Sequence, residues 1–268
     1  MASQPTCCAS SLAAGEDLAG TATQATRWLL IETREVWARD VEQTELAPPV
    51  REAVEGFGGR VLMIRRPDRR DGGPVAFIAE TTNSGGGAVR RLARLDDLES
   101  GEPLDGPLVL VCCHGRRDVC CARAGSAVFA ALAEHVPPDR LWQSSHLGGH
   151  RFAANVLVLP AGVLLGRVSP EDALPVASAV AAGTIPLDHF RGRTIHAPEA
   201  QAADAAVRAE HGLTGIDDVV VLEAVDGQVR LLTPTGEIEA TVSTEPGPAR
   251  LESCGADPAA SARYSVRW

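Results

Sequence analysis

The sequence predicts an α/β protein, on three observations. Buried-strand runs such as 106–113, GPLVLVCC, are followed by Ala-rich stretches with apolar spacing of three and four. Pro and Gly stand where helices start and stop. Residues 218–247 alternate around Asp-Gly and Thr-Gly, which is a hairpin signal. Together these give helices layered on strands, with a small antiparallel β appendage at the C-terminal end.

The elements follow in order. Residues 1–26 are small and polar and read as a loosely packed lead-in holding Cys7 and Cys8. RWLLIET, 27–33, is strand-like, and APPVREAVEGFG, 47–58, carries helix start and stop signals. GRVLMIRRP, 59–67, and PVAFIAET, 74–81, are two further strands. NSGGG, 83–87, is a loop, and AVRRLARLDDL, 88–98, is expected to be a helix. Region 1–104 therefore reads as β-α-β-β.

A second unit, 105–212, opens with the buried strand 106–113 and the helix CARAGSAVFAALAEH, 121–135. RLWQSSH, 140–146, is a short strand, and NVLVLPAGVLLGRV, 155–168, a hairpin through Pro-Ala-Gly. The helix 169–183 has Ser169 as N-cap, Pro170 at its first position and Gly183 past its end. DHFRGRT, 188–194, is a linker before a last helix, 197–212. Residues 213–268 form the β appendage, to which ARYSVRW, 262–268, adds an edge strand.

Hydrophobic residues make up 45% and charged residues 22% of the 268, as in a soluble globular chain. The net charge is −10, which gives no general attraction to nucleic acid or an acidic membrane surface. No apolar run reaches the roughly 20 residues of a membrane span. The N-terminus lacks a basic region followed by an apolar core, so a cytoplasmic protein is expected. In a reducing cytoplasm, clustered cysteines point to metal or redox chemistry. The count of seven excludes a complete disulfide framework.

That chemistry concentrates in VCCHGRRDVCC, 111–121, and SSHLGGH, 144–150. Cys112 ends a strand and Cys121 opens a helix, where the helix dipole favours a thiolate. The loop between them lets both thiols close on one point. Gly148 and Gly149 let the chain turn so that His150 can join His146. Two thiols and two imidazoles suit zinc or an iron–sulfur cluster. Alternation along LVLVCC sends Cys112 and Cys113 to opposite faces. Spacing does not choose between Cys112 with Cys121 and Cys113 with Cys120. A structural Cys2His2 zinc module used for binding and a thiol oxidoreductase also remain open; the latter ranks last, because the chain lacks Cys-x-x-Cys.

The motifs VCCHGRRDVCC and SSHLGGHRFAANVLVLPAG closely resemble the sucrase/ferredoxin-like family of thioredoxin-like [2Fe–2S] ferredoxins. The resemblance continues through RWLLIE, VLMIRRP and DHFRGRT, to about residue 212. It implies a thioredoxin-like domain over 105–212. It further implies a [2Fe–2S] cluster held by Cys112, Cys121, His146 and His150, and electron transfer with a redox partner protein. The implied role is an electron carrier without a substrate of its own. No Ser-His-Asp elbow, P-loop or GxGxxG after a strand is found. Nor is there a carboxylate pair of the glycosidase kind that "sucrase" would suggest.

Around these residues, Arg117 with Asp118 reads as a loop-holding salt bridge or Asx turn. Arg191 and Arg193 read as a solvated pair or an anion or partner contact. Cys7 and Cys8 read as free cysteines, and Cys113, Cys120 and Cys254 have no assigned role.

Overall fold

A computed structural model of the chain describes residues 5–67, 74–84 and 87–268. The NSGGG loop thus lies partly outside the described residues, at 85–86. Strands β1 (Arg27–Glu32), β2 (Arg60–Arg65), β3 (Ala76–Glu80), β4 (Ala88–Leu92) and β5 (Glu102–Pro103) come first. They are accompanied by helices α1 (Cys7–Ala13) and α2 (Pro48–Gly56). Then follow β6 (Leu108–Cys112), α3 (Val119–Leu132), β7 (Leu141–Ser144), β8 (Val156–Leu159), β9 (Val163–Leu165), α4 (Ala173–Ala182), β10 (Phe190–Arg193) and α5 (Pro198–His211).

These ten strands form one sheet in the order β10-β9-β8-β6-β7-β2-β1-β3-β4-β5. The boundary expected at 104/105 falls between β5 and β6, and β2 and β7 pair across it at Ile64–Ser144 and Arg65–Gln143. Strands from both sides of that boundary therefore share a sheet. Strand β6 runs parallel to β7 and antiparallel to β8, so its backbone groups are paired on both edges. All five of its residues are buried, which explains a continuous apolar run rather than an alternating one.

The pleat sends alternate residues to opposite sides. Trp28, Leu30, Leu110, Cys112 and Trp142 share one core. Val109, Val111 and Cys113 face another, beneath α3 and α4, with Val128, Leu132 and Val176. Each such aliphatic side chain contributes roughly 1.5–3 kcal/mol on burial. A separate antiparallel sheet, β11 (Val220–Val225), β12 (Gln228–Thr233), β13 (Gly236–Leu251) and β14 (Pro258–Arg267), packs against α5.

Three local expectations differ from the structure. The helix expected over 88–98 is strand β4, because pairing with β3 and burial of Val89 and Leu92 outweigh local helix preference. The expected linker at 188–194 holds β10, whose register shift between Phe190 and Gly192 breaks the usual strand pattern. The lead-in is not loose. Helix α1 buries Cys7 and Ser11 completely, and the buried Glu16 carboxylate accepts hydrogen bonds from Ser11 Oγ (2.7 Å), Arg151 Nε (2.9 Å) and Arg250 Nε (2.9 Å). Small polar residues concealed a tertiary clamp there.

Candidate metal centre

Cys112 ends β6 and Cys121 lies in the first turn of α3. Asp118 is the N-cap of α3, accepting from the Cys120 amide at 2.8 Å. Residues in a helix advance by about 100°, so neighbouring Cys120 and Cys121 face different surroundings. Cys121 joins Cys112 in the core around Leu110 and Trp142, while Cys113 points to the opposite core, as strand alternation requires. Close approach of α3 to β6 depends on Gly125. A Cβ there would lie 1.9 Å from the Cys112 carbonyl oxygen.

The histidine loop is built by backbone conformations that favour glycine. Gly148 and Gly149 have φ of +95° and +65°. A Cβ on Gly149 would meet the Arg191 guanidinium at 2.4 Å. Arg191 is 1% exposed, so it is neither a solvated residue nor a surface anion contact. It donates to the carbonyls of Gly148 (3.0 Å) and Thr21, to Thr21 Oγ1 (3.0 Å) and to Asn155 Oδ1 (2.8 Å). Asn155 Nδ2 in turn donates to Gly149 O at 3.0 Å. Arg193 is buried in the same way and donates to the carbonyls of Ala161, Asn83 and Thr82. Burial pushes the Arg191 guanidinium down to about 9. Arg117 pairs with Asp40 rather than with its neighbour Asp118.

The loop presents His146 and His150 side by side, ring centroids 5.1 Å apart. One donor atom each from Cys112, Cys121 and His146 lies within 4.8 Å of the others. His150 stands next to His146, outside that set, with its Nε2 3.9 Å from Asp118 Oδ2. The Nδ1 atoms of both rings are buried and have no hydrogen-bond partner. Buried polar atoms are rarely left so, and two imidazole nitrogens free beside two thiols fit a bound metal group. All seven cysteines carry free thiols.

The two buried thiols do not behave alike. The Cys121 thiol donates to Cys112, which with His146 holds the Cys112 thiol well below the usual range. The same contact, with burial, pushes Cys121 up. The pair thus favours one thiolate and one thiol, and a cation would release the remaining proton. Burial, and then the neighbouring His146, lower His150, leaving a neutral imidazole suited to ligation.

The half-buried His146 lines a cleft of about 640 Å³ whose rim carries Arg27, Arg39, Arg60 and Arg117, with Asp40. It is the expected site residue that reaches this cleft. Sequence reasoning missed Arg191 as the anchor of the loop, since a buried Arg among backbone carbonyls leaves no sequence signal.

The fold and this corner define an α/β protein with two thiols and one imidazole gathered at the ends of neighbouring strands, and a second imidazole beside the first. Residues 74–192 match the profile of the sucrase/ferredoxin-like family. Over 95 residues it is 34% identical to the altered inheritance of mitochondria protein 32 of Meyerozyma guilliermondii, covering 32% of this chain and 34% of that protein. It is 30% identical over 101 residues to the protein of the same name from Clavispora lusitaniae, covering 35% and 37%. The matches thus span about a third of these curated relatives. A thioredoxin-like [2Fe–2S] ferredoxin from Aquifex aeolicus is similar at 22% identity and a TM-score of 0.28, over 32% of this chain and 91% of that chain. A cysteine-to-serine variant of it gives 22%, 0.27, 31% and 96%. No helix among the described residues is long and apolar enough to cross a membrane.

Proposed function

We propose that the chain is an electron carrier whose [2Fe–2S] cluster is held by Cys112, Cys121, His146 and His150. One observation carries this reading: a fully buried thiol pair has His146 within 4.8 Å, with His150 beside that ring and the Nδ1 atoms of both rings without a partner. When bound, the group supplies one-electron chemistry, and replacing two thiolates by neutral imidazoles raises its potential. The protein's part is support. Gly125 lets α3 approach β6, and Arg191 with Asn155 holds the histidine loop. The Asp118 carboxylate faces Nε2 of His150, as a carboxylate behind a metal-binding histidine does.

The order β7-β6-β8-β9, with β6 and β7 parallel and a terminal hairpin before α4, supports the thioredoxin-like arrangement that the family implies. His146, at the arginine-rimmed cleft, is the exit we assign to the electron. The partner is a redox protein with an acidic face.

A second reading has its own observation. Donors from Cys112, Cys121 and His146 within 4.8 Å suit a single tetrahedral zinc as well as an iron pair. Purification without air, with an absorption spectrum and assays of iron, zinc and acid-labile sulfide, separates them. About two irons and two sulfides per chain are expected. Colourless protein with zinc at these ligands, unchanged by reconstitution with iron and sulfide, would replace the electron carrier with a structural module.

A further inference from the structure

Beside this centre, and sharing none of its ligands, three cysteines from distant parts of the chain converge. Cys7 comes from α1, Cys120 from the first turn of α3, and Cys254 from the turn between β13 and β14. Their sulfurs form a nearly equilateral triangle, with edges of 3.5 Å (Cys7–Cys120), 3.6 Å (Cys120–Cys254) and 3.6 Å (Cys7–Cys254). Asp118 closes it, with Oδ1 3.6 Å from Cys7 Sγ and 3.3 Å from Cys254 Sγ. The donor atoms of all four lie within 4.8 Å of one another.

We propose that Cys7, Cys120, Cys254 and Asp118 form a second metal site, which takes a tetrahedral divalent ion of the zinc class.

The dimensions argue for it. Zinc–sulfur bonds of about 2.3 Å at tetrahedral angles require sulfurs about 3.8 Å apart, and a carboxylate oxygen about 3.5 Å from each sulfur. The observed edges are within about 0.3 Å of these values without any rearrangement. Three thiols drawn together only by packing have no reason to form a regular triangle capped by a carboxylate. The surroundings also suit an anionic ligand set. The Cys7 amide donates to Cys254 Sγ at 3.4 Å, the Cys254 amide to Asp118 Oδ2 at 2.9 Å, and the Cys120 amide to Asp118 Oδ1 at 2.8 Å. Cys7, Asp118 and Cys120 are buried, and Cys254 half-buried, so water competes poorly.

Cys8 is not part of the set: its thiol donates to the His150 carbonyl at 3.2 Å. Burial holds the Cys120 thiol up at about 12. Without a cation the thiols therefore keep their protons, and the ion would displace them. The ion would tie the N-terminal segment and the β13–β14 turn to the first turn of α3, which carries Cys121. It would thus act as a staple on the candidate iron–sulfur centre, although the geometry holds whatever occupies that centre.

The test uses the full chain, stripped of metal, and zinc titrated against a competing chromophoric chelator. X-ray absorption at the zinc edge gives the ligand shell. Three variants are compared: Cys7→Ser, Cys254→Ser and Cys112→Ser. The expected result is tight zinc with three sulfurs and one oxygen. Its affinity should fall by more than about 100-fold in Cys7→Ser and Cys254→Ser, more than a supporting contact alone is worth. It should persist in Cys112→Ser. Cys254 sits half-buried in a turn, so Cys254→Ser keeps the test valid if Cys7→Ser fails to fold. Three results would overturn the site: no tight zinc in Cys112→Ser, zinc retained when Cys254→Ser is combined with Cys112→Ser, or a disulfide within the triangle in the native protein.

Discussion

Replacing Gly125 by Ala tests how the candidate centre is assembled. Gly125 lies inside α3, where Ala is the better helix former by about 1 kcal/mol. Local propensity alone therefore predicts a more stable protein. The structure predicts the reverse. The new Cβ would sit 1.9 Å from the Cys112 carbonyl oxygen, 2.9 Å from its carbon and 3.4 Å from Cys113 Sγ. The obstacle is the backbone of a central strand, paired on both sides, so it cannot swing aside as a side chain would. Helix α3 must shift away by about 1 Å, and overpacking of this kind costs about 1–3 kcal/mol. A clash with central backbone belongs at or beyond the upper end of that range. Set against the propensity gain, the net loss is about 2 kcal/mol. That corresponds to a melting temperature lower by about 5 °C for a chain of this size. Because the shift draws Cys121 from Cys112, metal content falls with it. The assay is thermal melting by circular dichroism, with iron and zinc measured on the same samples. Gly56→Ala is the control: it lies at the end of α2 with nothing within 4 Å of the added carbon, and should be neutral or slightly stabilising. Gly125→Ala with an unchanged or raised melting temperature and full metal content would refute the argument.

Arg191→Met should cost at least about 2 kcal/mol in urea unfolding, because buried acceptors on Gly148, Asn155 and Thr21 lose their donor. Arg191→Lys should not restore it, since one ammonium cannot span that fork. Equal stability of Arg191→Met and the unaltered protein would count against the loop anchor. Cys112→Ser should abolish bound iron while Cys113→Ala keeps it, because Cys113 faces the opposite core; the reverse outcome would reassign the ligand. His196 is held down to about 4 by burial, from an ordinary value of 6.5. The unfolded chain binds a proton as the pH falls below 6.5 and the folded chain does not, so stability present above that pH is lost progressively towards 4. Between pH 7 and 5 the loss from this group is about 2 kcal/mol, taking 1.5 pH units at 1.36 kcal/mol each. His196→Gln should flatten that part of the urea-midpoint profile, and parallel profiles would remove His196 as the cause.

Much of this protein was legible in its sequence because it is local. The apolar run of β6, the Pro and Gly bounds of the 169–183 helix and the Asp-Gly and Thr-Gly turns are set within a few residues. So is the glycine pair that bends the chain between His146 and His150. The approach of His146 to the cysteines of 112–121 was likewise visible as spacing, and family resemblance preferred Cys112 to Cys113. What required the tertiary structure is whatever depends on partners far away in the chain. Residues 88–92 are a strand because β3 offers them a free edge. Arg191 is buried because it meets carbonyls from residues 21 and 148. Cys7 and Cys254, separated by 247 residues, are neighbours only through the folding of α1 and the β13–β14 turn onto the Cys120 end of α3. Composition and periodicity report which face of an element is apolar. They carry no information on which distant polar groups the closed core brings within a bond's reach.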